Sequence, residues 1–280
     1  MGARTRILAR AGRGASMLFL LLWVFLTILP LYWMASSSFR PGGVTVSFKP
    51  EWVVANPTLD PYRRFLAQPY SLRWFLNSIV IAGVITGTNL VFASMAGYAF
   101  AKLQFPGRNA IFWMLLSTMM IPGEVTLIPL YILIINVMGL GNTYLAMVIP
   151  FITTVSNIFL LKQYMSSLPS ALMDAGRIDG CSELGVFFRI IVPMSLPGLA
   201  VMAIFTFVTF WNIFFWPFLV TTTDDMRTIQ VGLALFRYAQ ATDYGAMMAG
   251  STLAAIPMFL MFFSLQKYFL QGITIGAVKG

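Results

Sequence analysis

Long apolar runs separated by short polar turns constrain this chain more than any other feature. About 20 apolar residues cross a bilayer core. Runs of roughly that length or more lie at 17–37, 77–101, 109–133, 144–163, 197–220 and 245–267. Of the 280 residues, 59% are hydrophobic and only 10% charged, far too little charge to cover a water-soluble domain of this size. The expected fold class is therefore all-α: a polytopic membrane protein with six transmembrane helices. Its membrane domain covers 17–270, after a segment 1–16 and before a tail 271–280.

Charge sets the expected orientation. Arg4, Arg6, Arg10 and Arg13, with no acid among them, precede the first run, and basic flanks stay inside. A signal peptide is the rival, because Ala35-Ser36-Ser37 imitates a cleavage site. The run is long for that purpose, and Pro30-Leu31-Tyr32-Trp33 reads as an interfacial helix end. Six spans then place both termini in the cytoplasm. Lys102, Arg108, Lys162, Arg177, Arg189, Lys267 and Lys279 join the N-terminal arginines inside. The net charge of +9 is scattered along loops, a topological signal rather than a nucleic-acid surface. Outside, residues 39–73 carry Pro41, Pro50, Pro57 and Pro61 and are too broken for a long helix. A short outer helix is expected at 229–238, and 127–138 reads as another or as the continued third span. Small residues along the second span, Gly83, Gly87, Ser94, Ala96 and Gly97, suit close helix approach.

The longest mixed polar stretch of the second half falls at 168–197 and overlaps a loop 164–196 between the fourth and fifth spans. It reads as two short helices outside the bilayer. Ser170 suits the cap of the first, with Asp174 near its start and Gly180 just past its end. Ser182 suits the cap of the second, with Glu183 in its first turn. Pro193 and Pro197 mark where the chain turns again.

These residues resemble the cytoplasmic loop of bacterial ABC importer permeases, whose pattern is Glu-Ala-Ala, three residues, Gly, nine residues, Ile, one residue, Leu-Pro. Here Asp174-Ala175-Gly176, Gly180, Ile190 and Val192-Pro193 occupy that pattern. Asp replaces Glu, Gly replaces the second Ala and Val replaces Leu. The run Arg177-Ile178-Asp179-Gly180 is similar to the carbohydrate branch, the MalG type. So are Asn56-Pro57-Thr58-Leu59-Asp60 in the outer loop and the tail from Phe269 to Gly280. The resemblance implies a permease subunit of an importer for a sugar or oligosaccharide in the bacterial cytoplasmic membrane. It implies four partners: a second permease of the MalF type, two ATPase subunits of the MalK type and an extracytoplasmic solute-binding protein. ATP and Mg would sit on the ATPase subunits, and this chain would bind no cofactor. Within the coupling loop, Leu172, Met173, Asp174, Ala175, Gly176, Arg177, Asp179 and Gly180 are the expected coupling residues. Asp174 would make a polar contact with the ATPase, Ala175 and Gly176 would pack closely, and Gly180 would make the turn. Arg177 and Asp179 would hold the loop together. In the tail, Gly276, Ala277, Lys279 and Gly280 would reach the ATPase interface.

What is missing supports a partner-driven machine. The chain lacks Gly-x-x-x-x-Gly-Lys-Ser/Thr, so it has no P-loop. It has no His and a single Cys, Cys181, which leaves a membrane enzyme or a metal site poorly supplied. An ion-driven secondary transporter usually carries ionisable groups within its spans, whereas here charges gather at span ends. An importer of a phosphorylated polyol such as glycerol phosphate stays open as a variant of the favoured class. Trp211, Asn212 and Glu124 are the candidate solute-path residues; Glu124 is simply wet if Pro122-Gly123 ends the third span.

Overall fold

The computed structural model describes residues 2–41, 52–239 and 243–277, and these are helical with no strand among them. The chain forms two units, Met1–Pro69 with Leu235–Ala254, and Tyr70–Ala234 with Ala255–Gly280.

In the first unit, α1 (Gly2–Ser37) is one helix of 36 residues that passes straight through Pro30. The helix end at Ser37 agrees with the expected span 17–37; a proline inside a helix removes one backbone bond without having to stop the helix. Every large apolar side chain from Met17 to Ile28 is at least half exposed, as in a helix made to meet lipid or another protein on all sides. Its far end is fastened. The Tyr32 hydroxyl donates to the Trp52 carbonyl at 2.6 Å, Trp33 meets Trp52 edge-on at 5.2 Å, and the Arg40 guanidinium lies 4.8 Å over the Trp33 ring. The short α2 (Asp60–Leu66) follows, Tyr62 sharing a 2.7 Å hydrogen bond with Ser38. Arg64 pairs with Asp243 at 2.7 Å, and Asp243 also accepts the Ala246 N–H at 3.0 Å, capping the last helix. Burial works against the Asp243 charge, yet Arg64 and that N–H hold its pKa below the ordinary value.

The second unit is built around α3 (Ser71–Lys102), which starts earlier than the expected 77. Next, α4 (Arg108–Thr118) has 11 residues, ~16 Å at 1.5 Å per residue, too short for a ~30 Å core. After Met119–Pro122 the chain resumes as α5 (Gly123–Tyr131), extended by a π-helical turn to Val137 and bent 91° from α4. The third span expected at 109–133 is thus two arms, interrupted at Pro122-Gly123 as the sequence suggests. Pro122, with no N–H and an extended ψ of 135°, makes the break. The fourth span is also bent, by 43°: α6 (Tyr144–Val148) tightens into a 3₁₀ turn to Phe151, and α7 (Val155–Ser166) continues it. In the loop that follows lie α8 (Ala171–Ile178), α9 (Glu183–Val186), a π-helical turn and α10 (Val192–Met194). A 78° turn at Ser195 then leads into α11 (Leu196–Trp211). The fifth span, expected to run to 220, stops as a helix at Trp211. The short α12 (Phe215–Val220) resumes after a break at Asn212–Phe214. Further on, α13 (Ile229–Ala239) matches the outer helix expected at 229–238. The last helix, α14 (Tyr244–Ala277), passes through Pro257 and beyond the expected span end. Among the described residues, three helices are thus long and apolar enough to cross a membrane unaided, and three bent pairs bring the total to as many as six.

Two polar networks tie α3 to its neighbours, one of them at a bend. Backbone freed at the bend of the fourth span is taken up by Asn89 of α3, which is fully buried. Its side-chain N–H groups reach the carbonyls of Phe151 at 2.8 Å and Ile152 at 3.3 Å, and its oxygen accepts the Thr154 N–H at 2.9 Å. Asn157 then bridges Asn89 to Thr206 of α11, both at 2.9 Å. Three spans are joined through one cluster. At the opposite end, Asn77 donates to the carbonyls of Asp225 and Arg227 at 2.8 Å each, and Trp74 donates to the Asp224 carbonyl at 2.7 Å.

Packing follows the small residues only in part. A Cβ on Gly97 would lie 2.9 Å from Leu161 Cβ, so α3 and α7 touch there as expected. Gly83 and Gly87 have nothing within 4 Å of that position, and the expectation does not extend to them. On α13, a Cβ at Gly232 would overlap the Trp74 ring, which its hydrogen bond to Asp224 keeps from moving aside. Gly232→Ala should therefore destabilise the protein by about 1–3 kcal/mol, seen as a lowered thermal midpoint in detergent; an unchanged midpoint would contradict this packing.

Candidate functional site

The loop expected to couple the protein to a partner is a compact, two-sided device. Met173 of α8, Val186 of α9 and the neighbouring Phe187 and Ile191 point inward. They pack in one cluster with Ala93 and Tyr98 of α3, Leu161 and Met165 of α7, and Leu199 and Met202 of α11. Each such side chain contributes about 1.5–3 kcal/mol when fully buried, so the loop is welded to the ends of three spans. Gly176 also faces inward, since a Cβ there would lie 2.5 Å from Ile190 Cδ1 and 3.6 Å from Val186 Cγ2. The close packing expected of Gly176 is made within this chain, where Ile190 fills the place of the missing methyl. Gly176→Ala should gain no stability while Ile190 crowds it. With Ile190→Val alongside, the better helix propensity of Ala should appear, at about 1 kcal/mol. A double-mutant cycle on thermal unfolding reads this coupling, and strictly additive effects would contradict it.

The turn after α8 is fixed by backbone geometry. Gly180 has φ +80°, a left-handed value that glycine adopts at no steric cost. The Cys181 N–H reaches the Gly176 carbonyl at 2.9 Å and the Gly180 N–H reaches Arg177 at 3.0 Å, the paired bonds of a Schellman ending. Ser182 accepts the Gly185 N–H at 3.2 Å and caps the second helix as expected. Ser170 makes no such cap, which is a correction; its hydroxyl instead faces Lys102 Nζ at 3.4 Å. The same ammonium group donates to the Leu168 carbonyl, tying the loop's entry to the end of α3.

Arg177 is the centre of the polar side. Its Nε donates to Glu183 at 2.7 Å and another N–H to Asp174 at 2.9 Å, while the Tyr98 hydroxyl of α3 donates to the second Glu183 oxygen at 2.8 Å. Glu183 hydrogen bonding raises the Arg177 pKa, and bonds from Arg177 and then Tyr98 lower that of Glu183. The expectation that Arg177 holds the loop together matches this geometry. Asp179 is exposed and has no side-chain partner among the described residues, so that half of the expectation is corrected. Asp174 is also exposed, but one of its oxygens belongs to the clamp. Glu183 and Tyr98 were missed as site residues. Their sequence signal is weak: an acid six positions after Arg177, and a tyrosine one turn before Lys102.

Outward, α8 presents Leu172, Asp174, Ala175, Ile178 and Asp179 to solvent. Ile178 is 86% exposed, with Leu184 and Phe188 also more than half exposed beside it. Apolar tips on a rigid, polar-rimmed knob are the mark of an interaction surface. Of the tail residues, Gly276 and Ala277 end α14, while Lys279 and Gly280 lie outside the described residues.

The solute-path candidates separate. Trp211 is fully buried and stacks on Phe207 at 5.7 Å, so it is corrected to a core residue. Asn212 is exposed and held in place, donating to Val208 at 2.8 Å and accepting from Gln230 at 3.3 Å. Glu124 is exposed in the first turn of α5.

Helical spans joined by an external knob define a class of membrane transport subunit, and the comparisons agree. Residues 89–275 match the family described as binding-protein-dependent transport system inner membrane component, and this chain belongs to that family. It is 39% identical over 263 residues to the arabinooligosaccharides transport system permease AraQ of Halalkalibacterium halodurans, covering 91% of this chain and 92% of that one. It is 33% identical over 270 residues to the trehalose/maltose transport system permease MalG of Thermococcus litoralis, covering 93% and 94%. In fold it resembles the crystal structure of a bacterial ABC transporter involved in the import of alginate, with a TM-score of 0.82 at 21% identity, covering 96% of this chain and 99% of that one.

Proposed function

We propose that this chain is one of two membrane-spanning subunits of an ATP-driven importer for an oligosaccharide or related sugar, with both termini in the cytoplasm. The carrying observation is Ile178, 86% exposed at the tip of a knob whose other side is locked to three spans. The sugar names of the relatives support a saccharide over a phosphorylated polyol. The knob needs a partner that moves, and two ATPase subunits holding ATP and Mg supply that motion. A second permease completes the pathway, and an extracytoplasmic binding protein delivers the solute.

In this mechanism α8 sits in a cleft of one ATPase subunit. Closure of the ATPase pair pulls on α8. The pull reaches α3 through Arg177, Glu183 and Tyr98, and α11 through the buried cluster and the turn at Ser195. Such motion is rigid-body, so the clamp must be stiff. Bonds to charged partners count for more than neutral ones, although their exposure limits the worth of each. Asn212 is the candidate solute contact, being exposed and fixed. The test is purification of the tagged protein from its host with identification of bound subunits. A second permease and an ATPase should co-purify, and the ATPase should be lost when residues 172–180 become a flexible linker. Recovery of this chain alone, still moving solute in liposomes, would end the reading.

A further inference from the structure

A cavity of about 380 Å³ opens between α3, α4 and α7, at the same ends of α3 and α7 that carry the coupling loop. Arg108 and Lys162 line it, with Asn109 and Ser166 as further polar groups and Phe112 and Trp113 as aromatic walls. It contains no acidic residue, and neither cation meets a carboxylate among the described residues. Arg108 uses one N–H on the Leu103 carbonyl at 2.9 Å, and Lys162 lies 4.9 Å over the Phe112 ring. Trp113 is 69% exposed, an amphipathic ring of the kind that settles at the membrane–water boundary.

Two unneutralised cations beside hydrogen-bonding side chains are suited to one anionic group with several acceptor oxygens, most simply a phosphate diester. The aromatic wall and the position at the ends of membrane spans require that this group carry acyl chains. We propose that the cavity is a headgroup site for an anionic phospholipid, and that the lipid's phosphate lies between Arg108 and Lys162. Basic pockets between spans on the cytoplasmic face take such headgroups. The occupied leaflet follows from the orientation proposed above, but the binding itself does not depend on transport or coupling. A bound lipid here would brace the first turns of α4 against α7, at the end of α4 away from the 91° break of the third span.

The test is native mass spectrometry of the purified, delipidated protein titrated with phosphatidylglycerol and with phosphatidylcholine. One phosphatidylglycerol should bind in preference to phosphatidylcholine. Arg108→Gln with Lys162→Gln should weaken it about thirty-fold, from the usual contribution of two basic residues, with no change in thermal midpoint. Ser166→Asp, at the exposed rim, should weaken it independently, and Lys162→Arg should retain it. Equal binding of phosphatidylglycerol by the double variant, or of both lipids by the wild type, would overturn the proposal. So would equally tight binding of glycerol 3-phosphate or inorganic phosphate, which would assign a soluble anion. Displacement of the lipid by the second permease subunit would overturn it too, because the cavity would then be a subunit contact.

Discussion

Gly180→Pro should abolish solute uptake while leaving the protein inserted and folded across its spans. Two independent requirements fail at once. Gly180 has φ +80°, whereas proline fixes φ near −65°, and its N–H donates to the Arg177 carbonyl at 3.0 Å, a bond proline cannot make. Losing the turn also displaces Arg177 from Glu183 and so frees α8 from α3. Uptake should fall more than ten-fold with the membrane level of the protein nearly unchanged. Gly180→Ala is the graded control: its Cβ meets nothing within 4 Å, so it pays only left-handed backbone strain of about 1–2 kcal/mol and should keep most of its activity. Full uptake by the proline variant would show that the turn carries no motion.

Asn89→Leu should have the largest effect on stability of any single change considered. The side chain satisfies the Phe151 and Ile152 carbonyls and the Thr154 N–H at a bend where no helix can. Each buried group left unpaired costs about 1–3 kcal/mol, and the Asn157–Thr206 bridge loses its anchor as well. A loss of about 3 kcal/mol or more is expected, visible as poor accumulation and a much lower thermal midpoint in detergent. Asn89→Asp keeps the acceptor toward Thr154 and Asn157 but loses both donors, so it should be severe too. A variant as stable as the wild type would mean the bend is satisfied in some other way.

The broad architecture was legible because lipid imposes a length. Runs of about 20 apolar residues place α1, α3, α7, α11 and α14 correctly, and glycine and proline mark the loop's turns. Breaks inside spans were legible only in part: Pro122-Gly123 reads as an interruption of the third span, but the size of the bend does not. Pro122 bends the third span by 91°, yet Pro30 and Pro257 sit inside unbroken helices. A proline therefore permits a bend, and packing decides whether one occurs. At the site, Gly180 and Ser182 were readable because their roles are local. Close packing at Gly176 was readable too, but only the folded loop shows that Ile190 is what fills its empty side. Asn89, Glu183 and Tyr98 escaped notice for the same reason: their partners lie 65, 6 and 85 positions away, and no periodicity reports such pairings.

The central claim, that α8 hands ATPase motion to the spans, is tested most directly by a genetically encoded photo-crosslinker at Ile178 in native membranes. Position 178 should give a crosslinked product containing an ATPase subunit, and the exposed Asp60 of α2 should give none. No ATPase product from Ile178, or products of equal yield from both positions, would contradict it.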